Sequence, residues 1–236
     1  MQNILLPVPG ERQLSFYLAM EEYVAAAIGS GFFVWRVAPT VIIGRNQDLA
    51  AEVNLEYCRS HGVNIVRRKS GGGCVYADRG NLMLSYITPR KGVDTVFAEF
   101  LDRLAAFLQG LGLDAVKTEH NDVLVGGRKV SGNAFFVHPG ASIVHGTLLH
   151  SVDQDALQAA ITPPAAKLER HGVASVRQRV ANLVDLGLTL GAEELGSAIA
   201  AAFCDGTHTL SPEDVAAIEA IQATYDNPSF ILGNKP

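Results

Sequence analysis

The residues of this chain that could do chemistry fall in three short stretches. The first, RRKSGGGCVYADRGN (67–81), sets Arg67, Arg68, three consecutive glycines and Cys74 inside a run that otherwise reads as strand. Ordering a glycine costs about 0.5–1 kcal/mol relative to alanine at each position, so the triplet needs a compensating use. Without side chains, successive backbone N–H groups can converge on phosphate or carboxylate oxygens, and an arginine fork adds a charge-assisted contact. The stretch therefore reads as an anion cradle, with a tight sheet corner carrying two solvated arginines as the plain alternative. Two familiar nucleotide loops are excluded: there is no GxxxxGK[ST], and Tyr76 stands where the third glycine of GxGxxG would fall.

The second stretch, NDVLVGGRKVSGNAFF (121–136), puts Lys129 in a strand-like run beside Ser131, Gly132 and Asn133, small polar residues that suit a ligand better than a core. An ammonium there could stabilise charge that builds on a phosphate or an activated carboxylate, while an exposed strand lysine is the alternative. The third, VHGTLL (144–149), carries His145, whose plain reading is a buried, hydrogen-bonded histidine. Cys58, Cys74 and Cys204 are far apart, lack zinc-site spacing and read as reduced packing thiols of a cytosolic protein.

These stretches must be positioned by elements of two alternating periods. RQLSFYLAMEEYVAAAIG places Leu14, Tyr17, Leu18, Val24 and Ile28 on one helical stripe. FFVWRVAPTVIIGR predicts two short strands around a turn at Pro39, and VNIVRRK and NLMLSYI predict two more. DTVFAEFLDRLAAFLQGLG predicts a helix capped by Asp94 or Thr95, with Phe97, Phe100, Leu101, Leu104 and Leu108 on its buried face. Gly126 and Gly127 predict a tight hairpin, since a two-residue turn of that kind needs positive φ at both positions. ASIVHGTLLHSV is a further strand, and GAEELGSAIAAAFCDG and SPEDVAAIEAIQATYD are helices, the latter with Ser211 as N-cap and Pro212 at its first position.

The 236 residues, 48% hydrophobic and 18% charged, suffice for a substantial core, and the net charge of -5 argues against a general attraction to nucleic acid or anionic membrane. Any anion must be held by local charge. No repeat, linker, signal-peptide pattern or 18-residue apolar run is visible. We expect one α/β domain over residues 1–236, with a mostly antiparallel mixed sheet flanked by helices.

In order along the chain, SFYLAMEEYV, VIIGRNQ, RRKSGGGCVYADRGNLMLSYI, NDVLVGGRKVSGNAFF, HGTLLHSVD, GVASVRQRVANL and YDNPSFILGNKP resemble the lipoate-protein ligase family over nearly the whole length. The resemblance implies a catalytic domain of the α/β (α+β) class, related to biotin-protein ligases and class II aminoacyl-tRNA synthetases. It implies an enzyme that uses ATP and Mg2+ to turn lipoate into lipoyl-AMP. The lipoyl group would then pass to a lysine on E2 lipoyl domains of 2-oxoacid dehydrogenases or on the glycine cleavage H protein, in the cytoplasm. By the same resemblance Arg68, Gly73, Cys74, Val75 and Tyr76 run along the nucleotide, and Gly71 and Gly72 flank the lipoyl chain. Lys129 contacts the lipoyl carboxyl group and the α-phosphate, Asn121 and Asp122 serve the nucleotide or magnesium, with Asp122 as metal ligand, and His145 and Gly146 line the lipoyl tunnel. Arg177 and Arg179 stand between ligand and structural roles.

The chain departs from the family pattern twice. Ala77 stands where the family commonly has histidine, which would remove a hydrogen bond from the loop or ligand. The sequence also stops about where a small C-terminal accessory domain would begin, which leaves three alternatives: a separate small accessory protein supplies it, the chain activates lipoate without it, or the chain only transfers from a preformed adenylate. Two other functions compete: an octanoyl or lipoyl transferase working through a cysteine thioester, and a lipoate-binding protein without catalysis.

Overall fold

A computed structural model describes residues 1–90, 92–162 and 179–233. The largest unit is an eight-stranded mixed sheet. Its strands are β1 (Gln2–Leu5), β2 (Gly31–Trp35), β6 (Asn81–Pro89), β7 (Ala115–Lys117), β8 (Asp122–Val125), β9 (Arg128–His138), β10 (Ala141–Leu149) and β11 (Gly206–Thr209). They lie in the order β11-β1-β2-β6-β10-β9-β8-β7. β1 runs parallel to both its neighbours, and the other ladders are antiparallel.

Period-two alternation divides the sheet's side chains between two cores. Phe32, Leu82, Leu84, Tyr86, Val144 and Leu148 pack under α4 (Val93–Gly110) and α6 (Ala192–Phe203). Phe33, Trp35, Met83, Ile87 and Ile143 face α1 (Leu14–Tyr23) and α7 (Pro212–Tyr225) on the other side. With helices on both faces, all but the last residue of β6 is buried. The functional stretches lie on the α1 side.

Most local expectations are met. Gly126 and Gly127 turn the β8–β9 hairpin with φ of 56° and 75°, and Ser211 caps α7 with Pro212 next to it. Two details of α4 differ. Its N-cap is Gly92, not Asp94 or Thr95, because the extended backbone gives way to helix one residue earlier, leaving Asp94 in the first turn beside the positive helix end. Val96, four residues before Phe100, takes the buried position, while Phe97 sits half-buried at the edge against Phe135.

The larger difference is that the two strands around Pro39 join different sheets. β3 (Thr40–Ile43) leaves the main sheet and forms a second one, pairing in parallel with β4 (Asn64–Arg67) and antiparallel with β5 (Val75–Ala77). Parallel neighbours need a crossover, supplied by the short helices α2 (Leu49–Glu52) and α3 (Leu55–Ser60). The small sheet therefore holds the segment 68–74 against the face of the large one.

Candidate active site

Between the two sheets lies a cavity of about 330 Å³. Leu14, Leu18, Trp35, Ile42 and Met83 line its apolar part, and the glycine loop, β8, β9 and β10 supply the polar part. Of the candidate residues, Arg68, Gly72, Gly73, Cys74, Val75, Tyr76, Asn121, Asp122, Lys129, His145 and Gly146 all line it. Gly71 does not: it is exposed, and its carbonyl is turned back to accept bonds from Arg68. Arg179 also lines the cavity, whereas Arg177 lies outside the described residues.

Arg68 is buried, and its guanidinium braces the loop from beneath. Nε and Nη2 donate to Gly71 O at 3.2 and 2.7 Å, Nη2 also donates to Gly73 O at 2.8 Å, and Nη1 donates to Ile42 O at 3.1 Å. Burial without a bonded carboxylate lowers its pKa to about 10, so it stays charged at neutral pH. Arg67 points the other way, donating to Gly44 O and Gln47 O and to Ile231 O of α8 (Pro228–Leu232). The two arginines are thus neither a solvated pair nor free forks. They are buried clamps, and sequence patterning does not distinguish these cases.

Lys129 owes its direction to a β-bulge. The register runs Val123↔Ser131 and then Leu124↔Lys129, leaving Val130 as an extra residue on β9. The extra residue changes the strand's phase, so Lys129 and Gly132 share a face. A Cβ at Gly132 would lie 2.4 Å from Lys129 Nζ, so only glycine leaves room for the ammonium. Nζ sits 2.7 Å from Asp122 Oδ1, and Arg179 Nη2 sits 2.7 Å from Asp122 Oδ2. The segment carrying Arg179 is itself tied to this point by Ala181 N–H donating to Lys129 O at 2.9 Å. One carboxylate therefore holds two cations at the cavity wall.

Asp122→Asn should unpair that cluster and lower stability by about 3 kcal/mol, the low end for a broken buried pair because both cations keep some solvent contact. Urea unfolding followed by fluorescence measures this.

Asn121 is committed to structure. Its amide donates to Asn133 O, while Asn133 Nδ2 and N–H donate to Asn121 O at 2.9 and 3.0 Å. A Cβ on Gly146 would fall 1.7 Å from Asn133 Oδ1, so Gly146 serves this clasp as well as the cavity wall. Ala77 is fully buried on β5 with the α1-side core, outside the lining. Strand alternation puts it on the face of Val75, opposite Tyr76, in the same core as the cavity-lining Leu14, Leu18 and Met83, and as alanine it offers no side-chain hydrogen bond there.

Sequence reasoning passed over the residues that hold the loop in place. Glu21 and Glu22 of α1 reach Ser70 through His145 and reach Lys69 directly. Gly44 lies so close to the loop that a Cβ would sit 2.2 Å from Gly72 O. The only sequence hint was the quoted pair EE in SFYLAMEEYV, costly charges inside an apolar helix stripe.

Among the described residues no group of three or more His, Cys, Asp or Glu could hold a metal ion. Among the described residues lining the cavity Asp122 is the one carboxylate, and with its oxygens already on Lys129 and Arg179 it would share itself with a Mg2+ held chiefly by substrate phosphates, as that ion often is. Burial raises the thiol pKa of Cys58 and Cys204, neither of which lines the cavity. No helix among the described residues is long and apolar enough to cross a membrane.

Residues 13–204 match the sequence model of the lipoyl protein ligase A/B catalytic domain. Lipoate–protein ligase 1 of Staphylococcus aureus is 42% identical over 170 residues, 70% of this chain and 52% of that protein. This chain spans about half the length of the curated relatives it matches. A chain from the bipartite lipoate protein ligase of Thermoplasma acidophilum, studied with its E2 lipoyl domain, has a TM-score of 0.86 at 26% identity, covering 100% of this chain and 98% of that one. A lipoate-protein ligase A bound with ATP gives 0.85 at 25% identity, covering 99% of each chain.

Proposed function

The chain belongs to the lipoyl protein ligase A/B catalytic domain family, and from that premise we propose that it activates lipoate with ATP and passes the lipoyl group to a lysine of an acceptor domain. The observation that carries this reading is Lys129, held on the wall of a half-apolar cavity between Asp122 and the glycine loop.

Activation joins two anions. A carboxylate oxygen of lipoate attacks the α-phosphorus of ATP, the bond to the β-phosphate oxygen breaks, and pyrophosphate leaves. Like-charge repulsion and misalignment are the main obstacles. The apolar wall of Leu14, Leu18, Ile42 and Met83 takes the lipoyl chain, leaving its carboxylate toward Lys129. Gly72, Gly73 and Cys74 lie along the nucleotide, with the buried charge of Arg68 beneath them. Lys129 contributes the ammonium that meets charge growing on the α-phosphate. Mg2+, held by Asp122 and the phosphates, would screen the polyphosphate charge and favour pyrophosphate as leaving group. In the second step the acceptor's neutral lysine amine attacks the mixed anhydride, AMP leaves, and the nitrogen loses a proton. No enzyme nucleophile is needed.

For partners we infer E2 lipoyl domains, on the parallel with the T. acidophilum system, and the glycine cleavage H protein by the shared chemistry of an exposed acceptor lysine. The same parallel supports a separate accessory protein and a bipartite ligase. The ATP requirement and three cysteines that form no disulfide among the described residues suit the cytoplasm. Incubation with Mg-ATP, lipoate and an apo lipoyl domain or apo H protein, with and without a candidate accessory protein, should add one lipoyl mass to the acceptor by intact mass spectrometry. No mass gain and no lipoate-dependent exchange of pyrophosphate into ATP under any condition would remove the ligase reading and leave binding or transfer without adenylation. An acyl adduct on this chain, surviving denaturation and released by hydroxylamine, would favour the transferase.

A further inference from the structure

A buried chain of hydrogen bonds runs from Trp35 to the glycine loop, and its polarity follows from what each group can donate. The indole Nε1–H of Trp35 can only donate, and it lies 2.9 Å from Ser85 Oγ. Ser85 has one hydroxyl proton, which goes to Glu21 Oε1 at 2.6 Å. The other oxygen of that carboxylate, Oε2, lies 2.7 Å from His145 Nδ1. An ionised carboxylate only accepts, so Nδ1 carries the proton. In a neutral imidazole Nε2 is then a lone pair, and it lies 2.6 Å from Ser70 Oγ. The Ser70 hydroxyl therefore points at His145.

Every member of this chain except His145 is at most 5% exposed: Glu21 2%, Ser85 0%, Trp35 4% and Ser70 2%. Stacking on Tyr17 at 4.5 Å fixes the indole where the chain begins. The next residue on α1 grips the loop from the adjoining side. Glu22 pairs with Lys69 Nζ at 2.7 Å and accepts from the hydroxyl of Tyr225, which burial and the neighbouring carboxylate keep protonated. Two consecutive glutamates of one helix thus hold two consecutive residues at the mouth of the glycine loop.

We infer that Glu21 is a positioning residue for the activation step: by fixing the His145 tautomer it fixes the bond to Ser70, and through Ser70 it sets where the amides of Gly71, Gly72 and Gly73 stand relative to Lys129. The role in activation rests on the function proposed above, but the wiring does not. Ser70 is outside the cavity lining, so Glu21 acts through two intermediates and touches no substrate. The arrangement resembles a base held by an orienting carboxylate, where the wrong tautomer costs activity even with the geometry kept.

Glu21→Gln tests it. With its carbonyl toward Ser85, the new amide would donate to Nδ1. The proton then moves to Nε2, and the Ser70 bond reverses. Nitrogen-15 NMR of His145, assigned against His145→Gln, should show protonated Nδ1 in the wild type and protonated Nε2 in the variant. Amide hydrogen exchange at residues 70–73 should quicken. Lipoate-dependent ATP–pyrophosphate exchange should fall by about ten- to a hundredfold, as when a supporting partner of a site ligand is lost. Ser70→Ala, which is small enough to fold if Glu21→Gln is not, should quicken the same amides and lower turnover while leaving the His145 tautomer alone. An unchanged tautomer in Glu21→Gln, or loop amides in Ser70→Ala that exchange as in the wild type, overturns the inference. Both readouts need no turnover, so they judge the wiring even if the wild type proves not to be a ligase. If it is a ligase, wild-type turnover in both variants overturns the positioning role.

Discussion

Lys129→Ala should lower lipoate-dependent ATP–pyrophosphate exchange by about two to three orders of magnitude, the usual loss when one group that stabilises transition-state charge is removed from an enclosed site. The Nζ group is fixed by Asp122 before any ligand arrives, so it needs little reorganisation when charge develops. The fold should tolerate the change, because Asp122 keeps Arg179 and Ala181 N–H still finds the backbone carbonyl of residue 129. A melting temperature near that of the wild type, with exchange lost, is the expected pair of results. Lys129→Arg should fail as well, since the bare face of Gly132 fits a slim ammonium and not a planar guanidinium. Full exchange in Lys129→Ala would mean that another group supplies the charge.

Gly44→Ala should damage the proposed activity without touching the cavity. Its Cβ would stand 2.2 Å from the carbonyl oxygen of Gly72 and 3.1 Å from Gln47 Oε1. The carbonyl cannot simply retreat. Gly72 is at φ +93°, and the carbonyls on either side of it, Gly71 and Gly73, are both fastened to Arg68. The strain therefore falls on the loop, at about 1–3 kcal/mol for an overpacked site. If the loop shifts rather than the turn, that energy appears as about a ten- to hundredfold loss of exchange, at roughly 1.4 kcal/mol per tenfold. Gly110→Ala at the end of α4, where a Cβ meets nothing within 4 Å, is the control and should behave as the wild type. Equal activity in the two variants would show that the loop's position does not matter.

What the sequence reveals here is what is local. The buried stripe of α4, the Gly126–Gly127 turn and the Ser211 cap depend on residues a few positions apart, so periodicity and turn chemistry find them. Lys129 was also legible, because the small residues after it are visible without knowing the bulge that aims it. The departure of β3 into its own sheet was not, since strand pairing depends on partners that only a folded chain brings together. Glu21 and His145 are 124 positions apart, and Asp122 and Arg179 are 57 apart. Arg67 and Arg68 look alike in sequence, yet one clasps α8 and the other the glycine loop. Which carbonyls surround a guanidinium is a tertiary fact. Ala77 stood out in the sequence only as a departure from family pattern, and its full burial on β5 is a tertiary fact.

The parallel ladder between β1 and β11 pairs residues about 200 positions apart, Gln2 with Gly206 and Leu5 with Thr209. During synthesis β1 must therefore wait for about 200 further residues before its outer edge is covered. Pairings this distant form late, and an uncovered edge invites association with other chains. A growing chain of this protein is thus most exposed to misassembly while the glycine loop and Lys129 have been made but β11 has not yet covered the edge of β1.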